Sequence, residues 1–339
     1  MSLILKTKFS DIHIDCIWCV KFHPLKNLFA SSGSDATIII WEYDESISNY
    51  KKTSILAKTH KSTIRSIDWD YSGNYLSAAS FDNSISIWKI TNENSPYNFS
   101  CITILEQTDN EIKSVSWSIS GNLIACSNRK GSIWVWEKDE DELNTEFSCK
   151  STFQGHNADV KMVKFSPRDE DILFSCSFDE TIKIWDYDLT NDDYISQNTL
   201  KNHRGTVWYI EFNKTGDKFF TCSDDKSLIM WGIDFNCGED KNNPYENISK
   251  LFSIENLHNR PIYCCTLSFD EKFIFTASND GDIGIVEVSD NKMELIGKQK
   301  DAHDEYNINC ICINKNGTEI ISCGDDCAIK IWNFEPNKK

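Results

Sequence analysis

Apolar and polar positions alternate along the chain in short runs, and these runs return at a nearly constant interval. Each run follows a small residue and a turn that is usually centred on Asp. The runs end at Trp41, Trp88, Trp136, Trp185, Trp231, Val286 and Trp332, which are 47, 48, 49, 46, 55 and 46 residues apart. Strict alternation is typical of half-buried strands, and a repeat of this length built from such strands is typical of a β-propeller blade. The pattern therefore predicts an all-β ring of seven blades.

A histidine precedes the turn in six of the seven repeats. The positions in phase are His13, His60, Thr108, His156, His203, His258 and His303. Six histidines that follow a structural repeat are poor candidates for six catalytic groups. We expect a hydrogen-bonded relay inside each blade instead, in which Trp N–H donates to a Ser hydroxyl, the hydroxyl to His, and His to the Asp carboxylate.

Three repeats carry the complete set that this relay requires. The sets are His60, Ser80, Asp82 and Trp88; His156, Ser177, Asp179 and Trp185; and His203, Ser223, Asp225 and Trp231. The third repeat departs from the pattern, with Thr108 in place of His and Lys130 in place of Asp. The longest interval contains residues 234–250, where Gly, Pro and several Asn indicate an inserted surface loop.

The His, the Asp, the Trp and their spacing together resemble the WD-repeat family over nearly the whole chain. The resemblance implies four antiparallel strands in each blade around a central channel. It also implies a ring closed by the N-terminal segment, with residues 3–7 as the outer strand of the last blade. The expected organisation is a single propeller over residues 1–335, with the loop at 234–250 and a C-terminal tail at 336–339.

Composition and charge exclude several function classes. The 339 residues carry a net charge of −17, from 35 basic and 52 acidic residues, which disfavours binding to nucleic acid or to anionic membranes. The N-terminus lacks the pattern of a signal peptide, and no apolar run approaches the roughly 20 residues that span a bilayer. We therefore expect a cytoplasmic protein, with the nucleus as a second location.

Cysteines and catalytic motifs give no sign of an active site. The 14 Cys are expected to stay reduced in the cytosol. Cys16 and Cys19 form a C-x-x-C pair, but residues three apart on a strand point to opposite faces, and no second pair accompanies them. No Gly-rich phosphate loop and no Ser/His/Asp set lies outside the repeat pattern. We predict no metal site, no cofactor and no catalytic activity.

In the geometry of the WD-repeat family, one residue of each blade enters the inner strand at the rim of the channel. These residues would be Trp18, Arg65, Lys113, Lys161, Trp208, Tyr263 and Asn309. The residue before each turn Asp faces the same rim, and in the third repeat this residue is Arg129. Aromatic and Arg side chains are typical of binding hot spots, and cations attract acidic peptides or carboxylates. We expect this rim to be cationic and aromatic, and to bind protein partners.

The order of the motifs further resembles the WD-repeat component of the cytosolic iron–sulfur protein assembly machinery. The segments that carry this resemblance are residues 63–69, 80–88, 110–117, 128–136, 159–161, 205–208 and 306–309. The resemblance implies a non-catalytic scaffold, a monomeric propeller that joins a small acidic-loop partner and a large helical-repeat partner. The resulting targeting complex would hand iron–sulfur clusters to cytosolic and nuclear apoproteins.

The resemblance also assigns a role to Arg129, where the functional rim arginine of that family falls. The adjacent Asp of the family is replaced here by Lys130. The L-Y-R tripeptide that some members carry near the end of the fourth blade is replaced by Ile184-Trp185-Asp186. Client tails with an acidic residue and a terminal aromatic residue would suit a rim of Arg, Lys and Trp.

Two other hypotheses stay open. A generic WD-repeat adaptor of another assembly, such as a ubiquitin-ligase receptor or a chromatin-peptide reader, would have the same fold. A methyl-lysine reader needs an acidic or aromatic cage, whereas the rim expected here is cationic. An enzyme is the third hypothesis, and no motif in the sequence favours it.

Overall fold

The computed structural model describes residues 2–92, 96–106, 110–140, 145–235 and 243–335. In these ranges the chain forms seven antiparallel sheets of four strands each. The innermost strand of each sheet contacts the innermost strands of the two neighbouring sheets, and the seventh sheet contacts the first. The sheets are therefore the blades of a closed ring, which confirms the predicted seven-bladed propeller.

The strands follow one another from the channel outward in each blade. The N-terminal strand is β1 (Leu3–Phe9), and blade 1 consists of β2 (Ile17–Phe22), β3 (Leu28–Gly33), β4 (Ile38–Asp44) and β5 (Asn49–Leu56). Blade 2 consists of β6 (Ile64–Trp69), β7 (Tyr75–Ser80), β8 (Ile85–Ile90) and β9 (Phe99–Leu105), and blade 3 of β10 (Ile112–Trp117), β11 (Leu123–Asn128), β12 (Ser132–Glu140) and β13 (Thr145–Gln154). Blade 4 consists of β14 (Val160–Phe165), β15 (Ile172–Ser177), β16 (Ile182–Asp188) and β17 (Asp193–Leu200).

The remaining blades differ from these in two details. Blade 5 consists of β18 (Val207–Phe212), β19 (Lys218–Ser223), β20 (Leu228–Ile233) and β21 (Ile248–Ile254), and blade 6 of β22 (Ile262–Leu267), β23 (Phe273–Ser278), β24 (Ile283–Ser289) and β25 (Lys292–Gln299). A short strand β26 (Ala302–Glu305) precedes blade 7, whose strands are β27 (Ile308–Ile313), β28 (Glu319–Gly324), β29 (Ile329–Phe334) and, outermost, β1. A single 3-10 turn, Pro244–Glu246, precedes β21.

The second strand of a blade lies between two neighbouring blades, so both of its faces are covered. β3, β7 and β15 are buried at every residue, and their sequences combine aliphatic residues with Ala, Ser and Cys that fit between closely spaced sheets. The blade-ending Trp packs beside this strand, as in the parallel stack of Phe29 on Trp41, with ring centroids 5.5 Å apart. The core is thus a set of layers between blades.

The first and last parts of the chain meet in blade 7, as predicted. β1 pairs antiparallel with β29, from Leu3 opposite Phe334 to Phe9 opposite Ile329. The strand is two residues longer than expected from the sequence. The Lys6 ammonium also forms an ion pair with Glu319 of β28, at 2.6 Å. Closure of the ring therefore depends on the N-terminal strand.

The relay exists, but the hydroxyl predicted for it is wrong in all three blades. In blade 4 the Trp185 N–H donates to Ser175 at 2.8 Å, and Ser175 lies 2.7 Å from His156 Nε2. Trp185 is opposite Leu173 in the register, so Ser175, two residues from Leu173, is its diagonal neighbour. Ser177 lies four residues from Leu173, which is about 13 Å along the strand and too far for this bond. Ser177 donates to the Asp159 carbonyl instead, at 2.8 Å.

The same correction applies to Ser80 and Ser223, which donate to backbone carbonyls of Ser62 and Gly205. In blade 5 the relay hydroxyl is Thr221, which accepts from Trp231 and contacts His203. Blade 2 has Ala78 at this position, and Ser86, directly opposite Ala78 on β8, takes its place. The predicted His, Asp and Trp of these blades do take part.

Blades 1 and 7 have complete relays that the sequence reading omitted. Ser31 links Trp41 to His13, and Ser322 links Trp332 to His303. The sequence pattern does not predict these two relays, because Gly33 and Gly324 stand at the position that it wrongly assigns to the hydroxyl. The hydrogen bonds that the turn Asp accepts have a larger effect on its pKa than its burial has. In blade 1, burial alone would raise the pKa of Asp35, but the bonds from His13 and Thr37 lower it to about 2.

Blade 3 builds its turn without the Asp. Asn128, fully buried, accepts hydrogen bonds from the backbone N–H of Lys130 and Ser132 through Oδ1. The side chain of Lys130 is therefore not needed in the turn and is exposed. Cys126 occupies the relay position, so the Trp136 indole meets a thiol there in place of a hydroxyl. Thr108 lies outside the described residues.

The segment predicted as a surface loop, 234–250, ends earlier than expected. Its last part is the 3-10 turn Pro244–Glu246 and the start of β21 at Ile248. Tyr245 is buried and packs edge-on against Phe174 of blade 4, with centroids 6.2 Å apart. Residues 236–242 and the predicted tail 336–339 lie outside the described residues. In the described part of the chain, no helix has the length and apolarity required to cross a bilayer.

Candidate functional site

All seven predicted rim residues are the extra residues of β-bulges. In blade 1, Ile17 pairs with Gly33 and Cys19 with Ser32, so Trp18 between them has no partner on β3. The same shift occurs at Arg65, Lys113, Lys161, Trp208, Tyr263 and Asn309. A bulge bends the strand and re-aims one side chain. Each blade thus turns one residue out of its sheet at the same height.

The bulge residues converge on one cavity of about 260 Å³ at the centre of the ring. All seven line it, together with residues deeper in the channel such as Lys21, Asp68, Lys164 and Tyr209. Lysines and arginines in this lining outnumber carboxylates: Lys21, Arg65, Lys113, Lys161 and Lys164 against Asp68 and Asp70. Among the residues that line the cavity, cations are thus more numerous than carboxylates.

The aromatic residues occupy one side of the rim and are fixed by hydrogen bonds. Trp208 packs edge-on against Tyr263, with ring centroids 4.9 Å apart. The indole N–H of Trp208 donates to Asp224 at 2.5 Å, and Asn279 donates to the Tyr263 hydroxyl at 2.7 Å. The partners, Asp224 and Asn279, directly precede the turn Asp of their blades. The rings are therefore held in place before any partner binds.

The lysines of the rim are paired with carboxylates, which the sequence reading missed. Lys113 lies 2.7 Å from Glu111, and Lys161 lies 2.8 Å from Asp159. Burial lowers the pKa of Lys113, while the bond from Lys113 lowers the pKa of Glu111. Each carboxylate stands two residues before its lysine, and this i, i+2 spacing is the signal that could have revealed the pairs. The outer rim is less cationic than predicted.

Arg65 is the rim cation without a carboxylate partner among the described residues. Its guanidinium lies over the ring of Trp18, 4.8 Å from the centroid, and the Trp18 N–H donates to Ser34 at 2.8 Å. The stacking leaves the N–H groups of the guanidinium available to a ligand. Arg65 and Trp18 together offer charge and apolar surface at one point of the cavity.

Arg129 lies beside the cavity and is not part of its lining. Its side chain is 62% exposed, and Nη1 is 3.5 Å from Glu111, the carboxylate that also binds Lys113. Arg129 is thus connected to the rim through a shared carboxylate.

Asn309 is almost fully buried; its amide donates to Asp325 at 2.7 Å and to the Ile17 carbonyl at 3.0 Å, so it connects blade 7 to blade 1.

Deeper in the channel the charges are paired. The Lys21 ammonium donates to the Tyr209 hydroxyl across the channel at 2.8 Å, and Lys164 pairs with Glu211 at 2.5 Å. Burial raises the pKa of Asp68, which accepts a hydrogen bond from the Trp117 backbone N–H at 3.0 Å. Within the described ranges, no three His, Cys, Asp or Glu side chains are arranged to hold a metal ion. The cavity thus combines aromatic rings, one unpaired guanidinium and hydrogen-bonding groups among the described residues.

Comparisons with known proteins identify the same repeats. The family described as WD domain, G-beta repeat, matches residues 6–42, 51–89, 99–137, 147–186, 195–232, 250–285 and 295–333. The crystal structure of the WD40 beta propeller domain of Doa1 superposes with a TM-score of 0.75, covering 98% of this chain and 97% of that chain at 19% identity. At this identity the likeness concerns the fold alone.

Two relatives extend the likeness over the full length. The "Probable cytosolic iron-sulfur protein assembly protein Ciao1" of Culex quinquefasciatus is 34% identical over 339 residues, 96% of this chain and 96% of the relative. The "Probable cytosolic iron-sulfur protein assembly protein 1" of Vanderwaltozyma polyspora is 32% identical over 360 residues, 98% of this chain and 100% of the relative. The chain therefore belongs to the WD-repeat family and, within it, to the group of proteins named for cytosolic iron–sulfur protein assembly.

Proposed function

We propose that this protein is a non-catalytic scaffold of cytosolic iron–sulfur protein assembly. The observation that carries the proposal is that relatives named for this process match the chain from end to end. The fold agrees with it, because a rigid ring that presents seven fixed side chains at one rim is suited to holding other proteins. In this proposal the protein acts in the cytoplasm, and its partners are proteins of the targeting complex and client apoproteins.

The rim is the surface that we assign to partner binding. Trp208, Tyr263 and Trp18 supply rigid aromatic area, which costs little conformational entropy to bury. Arg65 supplies the charge that is not already neutralised by a carboxylate of the chain. A partner segment that combines an acidic group with an aromatic side chain would satisfy both, through a charge-assisted hydrogen bond and ring stacking.

Arg129 contributes to the same surface from outside the cavity. Its exposed guanidinium can meet a second acidic group of a partner, while Glu111 orients it. Lys113 and Lys161 are already paired with carboxylates of the chain. Their main effect would be to neutralise these carboxylates, so that the rim does not attract cations. Asn309 would contribute indirectly, because its hydrogen bonds connect blade 7 to blade 1 at the rim.

An affinity capture from cytosol tests the proposal. The bait is the full chain as wild type, Arg129→Glu and the double variant Arg65→Ala/Trp208→Ala. Arg168→Glu is the matched control, since Arg168 is exposed in the turn between β14 and β15, at the end of the inner strand opposite Lys161. We expect wild type and control to recover iron–sulfur assembly proteins and client apoproteins, and the rim variants to lose them.

The alternative outcomes are distinct. Recovery of the same assembly proteins by all four baits would keep the pathway and refute the rim as the contact surface. Recovery of a ubiquitin ligase or a chromatin complex by the wild type would refute the proposed function and favour a generic WD-repeat adaptor.

A further inference from the structure

Three thiols from three consecutive blades meet on the inner strands of the ring. Cys264 lies on β22, Cys310 on β27 and Cys19 on β2. Blade 7 stands between blades 6 and 1, so Cys310 lies between the other two. The Sγ atoms of Cys264 and Cys310 are 3.9 Å apart. Each thiol occupies the position directly after the bulge residue of its blade.

This position has a structural task that does not require sulfur. The Cys19 thiol contacts the Ile67 carbonyl of the next blade at 3.8 Å, and the thiols of Cys264 and Cys310 contact Ile311 and Val20 carbonyls at 3.5 Å. In blade 3 the same position is Ser114, whose hydroxyl contacts the Val163 carbonyl, also at 3.5 Å. A hydroxyl therefore serves as well, and the interblade bond does not explain why three thiols are adjacent.

The thiols also differ from the other buried cysteines in access and reactivity. Cys19 and Cys310 are largely buried but form part of the lining of the central cavity, so a small solute in the channel comes close to them. Hydrogen bonds from the thiols of Cys19 and Cys264 lower the pKa of Cys310 well below its ordinary value. A thiolate is the reactive form of cysteine, and Cys310 has a thiol neighbour on each side.

We propose that Cys264 and Cys310 are a redox-active pair that forms a reversible disulfide between blades 6 and 7 when a peroxide enters the channel. The Cys310 thiolate attacks one oxygen of hydrogen peroxide, the O–O bond breaks, and a sulfenic acid and hydroxide form. The Cys264 sulfur then attacks the sulfenic sulfur and displaces a second hydroxide. One hydroxide takes the Cys264 proton and the other the proton that Cys310 had released, so two thiols and one peroxide give one disulfide and two waters.

The bond would act directly below the rim. The two sulfur atoms must approach from 3.9 Å to about 2.0 Å. Tyr263 and Asn309 are the residues that immediately precede the two cysteines. The oxidation state of the pair therefore sets the spacing of two neighbouring rim positions. A dithiol reverses the bond by thiol–disulfide exchange.

Peptide mapping of the oxidised full chain tests the proposal. The protein, on a Cys149→Ser background that removes an exposed thiol, is treated with hydrogen peroxide, alkylated and digested without reduction. We expect a linked peptide pair that contains Cys264 and Cys310 and that disappears after treatment with dithiothreitol. Cys264→Ser and Cys310→Ser should each abolish it; serine retains the interblade donor, as Ser114 does, so both variants should fold.

The internal control is a second thiol pair in the same protein. Cys222 and Cys265 are side-chain neighbours in the core between blades 5 and 6, and neither lines the cavity. We expect the Cys264–Cys310 link to form at least about tenfold faster than the Cys222–Cys265 link, because only the first pair includes a thiol in the lining of the cavity, where peroxide can approach it. Equal rates, or oxidation of Cys310 to sulfinic acid without the link, would overturn the proposal. These outcomes do not depend on which proteins bind the rim.

Discussion

In blades 1, 2, 4, 5 and 7 a single hydroxyl bonds to both the His and the Trp of the blade, whereas the hydroxyl of blade 6 bonds to the His alone. Thr221 bonds to both His203 and Trp231. Thr276, equally buried on the matching strand, bonds to His258, and Val286 stands where the Trp would be. The pair therefore isolates the contribution of the Trp–hydroxyl bond.

We predict that Thr221→Val destabilises the protein by about 1 kcal/mol more than Thr276→Val, because it leaves the Trp231 N–H buried without an acceptor. Urea denaturation of the two variants and the wild type measures the difference. Equal losses would show that the indole bond contributes nothing to the free energy of unfolding.

His23 is the one histidine outside the repeat pattern, and it makes the free energy of unfolding depend on pH. Its Nδ1 accepts bonds from the backbone N–H of Leu25 and Lys26, and its Nε2–H donates to the Gly73 carbonyl of the next blade at 2.8 Å. Burial lowers the pKa of His23 to about 4 from 6.5. A proton on Nδ1 would break both accepting bonds.

Between pH 6.5 and 4 the unfolded chain binds a proton that the folded His23 does not, so the free energy of unfolding should fall with decreasing pH, by about 1 kcal/mol per unit from this group. The variant His23→Gln should be less stable at pH 7 and should show a shallower fall. Carboxylates such as Asp35, with a pKa of about 2, lose their stabilising charge only at lower pH. Parallel slopes for wild type and variant in urea titrations would contradict this assignment.

At the scale of the strand, the N-terminal segment is the element on which closure depends. β1 covers the outer edge of β29 along its whole length, and an uncovered strand presents unpaired N–H and C=O groups to other chains. Deletion of residues 1–9 should lower the melting temperature and shift the protein towards larger species in size-exclusion chromatography. A synthetic peptide of these residues should restore the elution volume of the wild type. An unchanged elution profile of the deletion variant would refute the role of β1.

The strands and their order could be predicted because alternation and turns repeat seven times, but the relay hydroxyl could not be assigned from one marker residue. Its position depends on the register between two strands, which places Leu173, and not a hydroxyl residue, opposite Trp185. The seven bulges could not be predicted from the alternation of apolar and polar residues either, since a bulge adds one residue without changing the residue types around it. The seven rim positions follow instead from the geometry of the WD-repeat family, applied to each repeat in turn.

At the scale of the whole molecule, the ring brings together residues that the sequence keeps far apart. The pairing of Lys113 with Glu111 and Lys161 with Asp159 is local, whereas the thiol group joins Cys19 to Cys310 only because the ring closes. The net charge of −17 gave no indication that lysines and arginines outnumber carboxylates in the lining of the central cavity. The contact between the thiols of blades 7 and 1 therefore follows from the closure of the ring and could not be predicted from the spacing of these residues in the sequence.

The central claim, that the bulge residues of the rim are the partner-binding surface, is tested most directly by one affinity measurement. A partner recovered in the capture experiment is purified and titrated into wild type, Trp208→Ala and the control Arg168→Ala in a calorimeter. A hot-spot aromatic residue contributes about 2 kcal/mol, so Trp208→Ala should weaken binding by about thirtyfold, while the control should bind as the wild type does. Equal affinities for all three proteins would contradict the account and place the contact surface elsewhere on the ring.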